Sequence, residues 1–162
     1  MRHLALAAVA LAALVSLVST AVSQTPKPGA SQTAMELGNF SVSLAVKDLA
    51  ASKAFYEKLG FRATFGEATQ GWLILQNKTA TIGLFQGMLD KNTMTFNPGW
   101  TRDGKPVGEF EDVRDLQARL LAAGLALTTK ADAASTGPAS FTLVDPDGNM
   151  ILVDQHVARP KK

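Results

Sequence analysis

Cysteine is absent from the 162-residue sequence. Its absence excludes disulfide scaffolds, thiolate zinc sites, iron–sulfur clusters, cysteine nucleophiles and a lipidated N-terminal cysteine. Histidine is almost absent as well, at His3 and His156 only. Charge of one sign is not in excess: the formal net charge is +2 and no long basic run occurs, so nothing points to nucleic acid. Neither a phosphate loop nor a dinucleotide fingerprint is present. A single long apolar run exists, Leu4 to Val18.

That run follows Arg2 and His3 and leads to the small-residue site Ala21-Val22-Ser23. A short positive end, an apolar stretch and small residues predict a secretory signal peptide over residues 1–23, cleaved near Ser23, with a periplasmic or secreted product. The competing reading is an uncleaved anchor, because Leu4 to Val22 approaches the length that spans a bilayer; Ser16, Ser19 and Thr20 weaken it. Residues 24–36, rich in Pro, Ser, Thr and Gly, read as a flexible linker. One domain is expected over 37–157, followed by a basic tail over 158–162. The domain is expected to be soluble, with no membrane contact once the leader is removed.

Along the domain, Asn39 to Val46 alternates Phe40, Val42, Leu44 and Val46 with Ser41, Ser43 and Ala45, which predicts a strand. Asp48 suits a helix N-cap, and Leu49, Ser52, Phe55, Tyr56 and Leu59 keep helical spacing until Gly60. Strands are expected at Phe61–Phe65, Trp72–Gln76 and Thr79–Phe85. The second half repeats the order. Glu109–Glu111 is expected to close a short strand, Asp112 to cap a helix over Val113–Ala123, and strands to follow at Leu125–Thr129, Ala139–Val144 and Met150–Asp154. Part of Thr93–Phe96 is expected to be extended, ahead of a loop through Asn97-Pro98-Gly99-Trp100.

Asp48-Leu49, Phe55-Tyr56 and Leu59-Gly60-Phe61, together with Asp145-Pro146-Asp147-Gly148-Asn149, resemble the vicinal oxygen chelate superfamily. That group contains glyoxalases, extradiol dioxygenases, and fosfomycin- and bleomycin-resistance proteins. The resemblance covers Leu37 to Val157 and implies an α+β fold of two βαβββ modules whose curved mixed sheet encloses a cleft, commonly in a homodimer. It also implies a divalent metal held by side chains on four strands, and at those positions this sequence departs from the pattern. Ser41 stands where a His is typical, Leu152 and Gly83 where Glu is typical, and no histidine lies near Lys105 for the second module. Independently, two histidines, one of them in the leader, cannot build a two-His-plus-carboxylate site in one mature chain. No metal and no other cofactor is therefore expected.

The acidic groups have plainer roles. Asp145, Asp147 and Asn149 alternate as in a calcium loop, but Gly148 is misplaced and His156 stands where the closing Glu belongs, so a hairpin turn is expected. Glu109, Glu111, Asp112 and Asp115 suit a helix start. Asn39 and Asn77 begin glycosylation acceptor patterns, yet both lie in or beside expected strands.

What remains can line a cleft. Leu152, Asp154 and His156 share one strand face, so Asp154 can orient His156 as an acid–base pair, or the two can form a solvated pair at a strand end. Trp72, Phe85 and Trp100 can wall a site for a small aromatic ligand; core or dimer packing is the alternative for Trp72 and Phe85. Gln86 and Asn97 can orient a ligand or satisfy nearby backbone. The ligand-binding set expected is thus Ser41, Trp72, Phe85, Gln86, Asn97, Trp100 and Leu152. The function expected is binding of a small organic molecule without a metal. An enzyme using His156 (lyase, dioxygenase or isomerase) and a protein-interaction module remain as alternatives.

Overall fold

The computed structural model describes residues 34–161. The leader over 1–23, most of the linker and Lys162 lie outside the described residues.

The first module is β1 (Asn39–Val46), α1 (Leu49–Lys58), β2 (Arg62–Glu67), β3 (Trp72–Gln76) and β4 (Thr81–Gln86). The second is β5 (Thr93–Asn97), α2 (Val113–Ala122), β6 (Ala139–Val144) and β7 (Met150–Gln155). Together they form one seven-stranded mixed sheet in the order β2-β3-β4-β1-β5-β7-β6, an α+β fold. The two modules meet where β1 and β5 run antiparallel, with Ser41 opposite Thr95 and Ser43 opposite Thr93. Outward from that seam, β1 pairs in parallel with β4 and β5 in parallel with β7. No described helix is long and apolar enough to cross a membrane.

Local sequence explains most of these elements. The Asp48 carboxylate accepts the Ala51 N–H at 2.9 Å and starts α1; Asp112 accepts the Arg114 N–H at 3.0 Å and starts α2. Gly60, with φ +86°, follows the Leu59 cap where a side chain would be strained. Alternation along β3 sends Leu73 and Leu75 to the helical side, where they pack with Leu84 and Leu49. Val113 and Leu116 of α2 pack against Phe141, Leu143 and Val153 in a second core. Each helix thus covers its own module's strands, leaving the other face of the sheet free to form a cleft. Within α1 the expected apolar stripe is only partly used: Phe55 and Leu59 are each 58% exposed.

Two expected strands are corrected. Glu109–Glu111 is not a strand; the second module starts at β5 instead, and residues 98–112 intervene before α2. Leu125–Thr129 makes only a bridge from Thr129 to Thr142. There the Thr129 hydroxyl accepts the Thr142 N–H at 2.9 Å. The Asp145–Asn149 turn forms as a hairpin: Asp145 accepts from the Asp147 and Asn149 N–H groups and from the Asn149 amide. Those Asn149 bonds hold the Asp145 carboxyl below its ordinary value, so its charge is occupied locally.

Candidate functional site

Residues of six strands, β1 to β5 and β7, face a cavity of about 540 Å³. Its floor is the β1–β5 seam, carrying Ser41, Ser43, Thr93 and Thr95, all buried. Ser43 and Thr95 share a hydroxyl–hydroxyl bond of 2.9 Å, and Thr93 donates to the Lys91 carbonyl at 3.2 Å. One wall comes from Trp72, Ile74 and Gln76 of β3 with Thr81 and Phe85 of β4; the other from Leu152 and Asp154 of β7 with His156 beyond it.

Both walls are aromatic, in different ways. Trp72 and Phe85 are cross-strand partners whose rings lie 8° from parallel at 6.5 Å. Trp100 stacks on His156 at 4.2 Å and 16°. His156 Nε2 lies 3.2 Å from Asp154 Oδ2, so the spacing of Leu152, Asp154 and His156 does bring the pair to the cavity. Trp100 reaches the cavity because residues 99–107 fold back on themselves. A Trp100–Pro106 bridge and the Val107 N–H to Gly99 carbonyl bond close that loop. Arg102 then ties the loop to the β3–β4 turn by donating to the carbonyls of Asn77, Lys78 and Ala80.

Gly83 has a specific role in this geometry. A Cβ there would sit 2.4 Å from Phe85 Cε2 and 3.3 Å from Ile74 Cδ1. The Phe85 ring therefore lies over the position where the family pattern has an acid. The fourth pattern position also moves: with β5 as the second module's first strand, Thr93 stands two residues before the Thr95 that faces Leu152, as Ser41 stands two before the Ser43 that faces Gly83. The region near Lys105 has no part in it. Ser41, Gly83, Thr93 and Leu152 supply no carboxylate or imidazole. Among the described residues, no group of three or more His, Asp or Glu side chains could hold a metal. Asp154 and His156 are the only strong donors in the lining, and they are bonded to each other. These residues do not fit a two-His-plus-carboxylate metal.

Of the expected ligand-binding residues, Ser41, Trp72, Phe85, Asn97, Trp100 and Leu152 line the cavity. Gln86 does not. Its Oε1 accepts the Leu49 N–H at 2.7 Å, at the first turn of α1. Gln155 does the same for Val113 of α2 at 2.8 Å. Ile82-Gly83-Leu84-Phe85-Gln86 and Ile151-Leu152-Val153-Asp154-Gln155 share this spacing, which was a visible signal for the duplicated clamp. Asn97 splits its role, lining the cavity while its Nδ2 donates to the Asp154 carbonyl at 2.9 Å. Phe65, Met88, Leu89 and Arg102 line the cavity without having been singled out from the sequence.

Behind His156 lies a buried polar knot. Asp112, 2% exposed, accepts from Gln155 Nε2 at 2.9 Å and is bridged by Arg114 at 3.2 Å. Arg114 also reaches Ser135 and the Gly137 carbonyl, and Arg159 lies 3.7 Å from Asp112. Burial opposes the charge on Asp112, but the bonds from Gln155 and Arg114 outweigh it and hold the carboxyl below its ordinary value. The segments on both sides of His156 are anchored by this knot, since Gln155 also donates to the Val157 carbonyl at 3.1 Å.

With this geometry in place, the match to a family model gives the class. The family model for the Glyoxalase/Bleomycin resistance protein/Dioxygenase superfamily matches residues 39–153, and the chain belongs to that superfamily. A superfamily member from Vibrio splendidus 12B01 is 18% identical, with 72% of this chain and 97% of that one covered and a TM-score of 0.49. A Legionella pneumophila structure described as an NAD-dependent benzaldehyde dehydrogenase is 18% identical, with 73% and 99% covered and a TM-score of 0.55. The Mn(II)-bound glyoxalase from Novosphingobium aromaticivorans is 23% identical, with 75% of this chain and 40% of that one covered and a TM-score of 0.45. No curated protein matches the chain.

Proposed function

We propose that this chain is an exported, metal-free binding protein of the superfamily that takes a small planar organic molecule into its cleft. The observation that carries the reading is the exchange at the family's ligand positions. Hydroxyls, a glycine and a leucine stand there, and the Phe85 ring, paired with Trp72, closes over the glycine. Apolar walls with a few polar groups are what a small-molecule pocket requires. Export rests on the apolar run Leu4–Val18 and the Ala21-Val22-Ser23 site. A homodimer is part of the proposal, supported by Phe40, Phe55 and Leu59, which leave large apolar surfaces exposed on the domain.

The test is calorimetric titration with 2-naphthylmethanol, a neutral planar probe. Trp100→Ala is expected to weaken binding by roughly thirty-fold, the usual loss of about 2 kcal/mol at an aromatic anchor. Binding that survives the change unaltered would remove Trp100 from the site.

A second reading has one observation in its favour, the Asp154–His156 pair at the cavity edge. An isomerase or lyase using His156 as acid–base would lose turnover in His156→Phe, which keeps a ring on Trp100 but removes the nitrogens. The binder keeps its affinity for the probe within a few-fold.

A further inference from the structure

The cavity is graded along the strands. The registers place Asn39 opposite Asn97 at one end of the β1–β5 seam, and Ser43 opposite Thr93 towards the other. On the neighbouring wall Gln76 faces Thr81 at one end of β3–β4, and Trp72 faces Phe85 at the other. Because β1 and β4 are parallel, with Ser43 beside Gly83, the amide end of the seam and the Gln76–Thr81 end coincide. Asp154 belongs to this polar end, since its carbonyl takes the Asn97 amide. Trp72 and Phe85 mark the apolar end.

At the polar end the amide donors of Gln76 and Asn97 are engaged. Gln76 Nε2 donates to the Arg102 carbonyl at 2.6 Å and to Thr81 Oγ1 at 3.3 Å, leaving Gln76 Oε1 as its free function. Asn97 Nδ2 is engaged, leaving Asn97 Oδ1. The Arg102 terminal nitrogens donate to three carbonyls of the β3–β4 turn, while its buried Nε has no partner among the described residues. Asp154 is the sole carboxylate in the lining; its Oδ2 meets His156, and Oδ1 has no partner among the described residues. On Gln76, Asn97 and Asp154 the groups left over are acceptors.

Resting on the binding reading above, we infer that the cleft selects amphipathic planar molecules whose polar end donates hydrogen bonds. An ammonium group is the strongest form of that end, seated on Asp154 while the ring lies against Trp72 and Phe85. A charge-assisted bond to a carboxylate is about twice as strong as a neutral one, which sets the order among matched probes.

Three probes of one shape test this by calorimetry at pH 7: 2-naphthylmethylamine, 2-naphthylmethanol and 2-naphthoate. The amine is expected to bind about ten-fold more tightly than the alcohol, and the carboxylate weakest of the three. Asp154→Asn is expected to bring the amine-to-alcohol ratio close to one, while Asp147→Asn, in the exposed Asp145–Asn149 turn, preserves it. If the carboxylate binds tightest, or the ratio survives Asp154→Asn, the inference is overturned while the planar-ligand reading stands. If none of the three probes binds, that reading falls and takes the inference with it.

Discussion

Asp112→Ala is expected to destabilise the domain by about 3–5 kcal/mol, the usual cost of leaving a buried ionic partner unpaired. Arg114 is 4% exposed, and the change removes the only carboxylate among the described residues that pairs with it. It also removes the α2 N-cap and the acceptor for Gln155 Nε2. Thermal or urea unfolding followed by circular dichroism measures the loss, and a change within 1 kcal/mol would contradict the role given to the knot. The pH dependence has a definite sign. Because the folded Asp112 carboxyl is held below its ordinary value, its contribution is complete above the ordinary aspartate range and is lost as pH falls through the folded value. The wild-type domain should therefore lose stability in acid more steeply than Asp112→Asn, which cannot titrate there.

Gly83→Ala is expected to weaken binding through the addition of a single methyl group. The added carbon would lie 2.4 Å from the Phe85 ring, with Ile74 Cδ1 at 3.3 Å beside it. Phe85 must leave its place, at an overpacking cost of about 1–3 kcal/mol, and its parallel contact with Trp72 goes with it. Affinity for 2-naphthylmethanol should fall by about ten-fold or more, while the far-ultraviolet dichroism of the folded protein stays unchanged. Unaltered affinity would mean that the Trp72–Phe85 wall does not touch the ligand.

Much of this architecture is legible in the sequence because local signals and tertiary demands coincide. Along β1, β3 and β6 the alternation of residues marks the observed bounds, and Asp48 and Asp112 cap the helices they precede. The failures have a common cause. In the first module only Lys47 separates the strand from the capping Asp48, so the same short connection was expected before Asp112. The second module instead spends residues 98–111 there, and that excursion delivers Trp100 and Arg102 to the cleft. Arg102's role depends on carbonyls of a distant turn, which no local pattern reveals. Gln86 stays open in the sequence between a ligand and nearby backbone, because a polar residue at a strand end suits either. Only its match with Gln155 separates the two. At the site, period-two spacing was sufficient for Asp154, Trp72 and Phe85, which regular strands carry, and for His156 just past the end of β7.

The central claim is that the cleft binds a planar organic molecule without a metal, and native mass spectrometry tests it most directly. The protein is purified without chelator and measured with and without 2-naphthylmethanol. The account predicts one probe per chain, no stoichiometric divalent ion, and loss of the adduct in Trp100→Ala. A stoichiometric divalent metal in the wild-type protein, or no probe adduct at all, would contradict it.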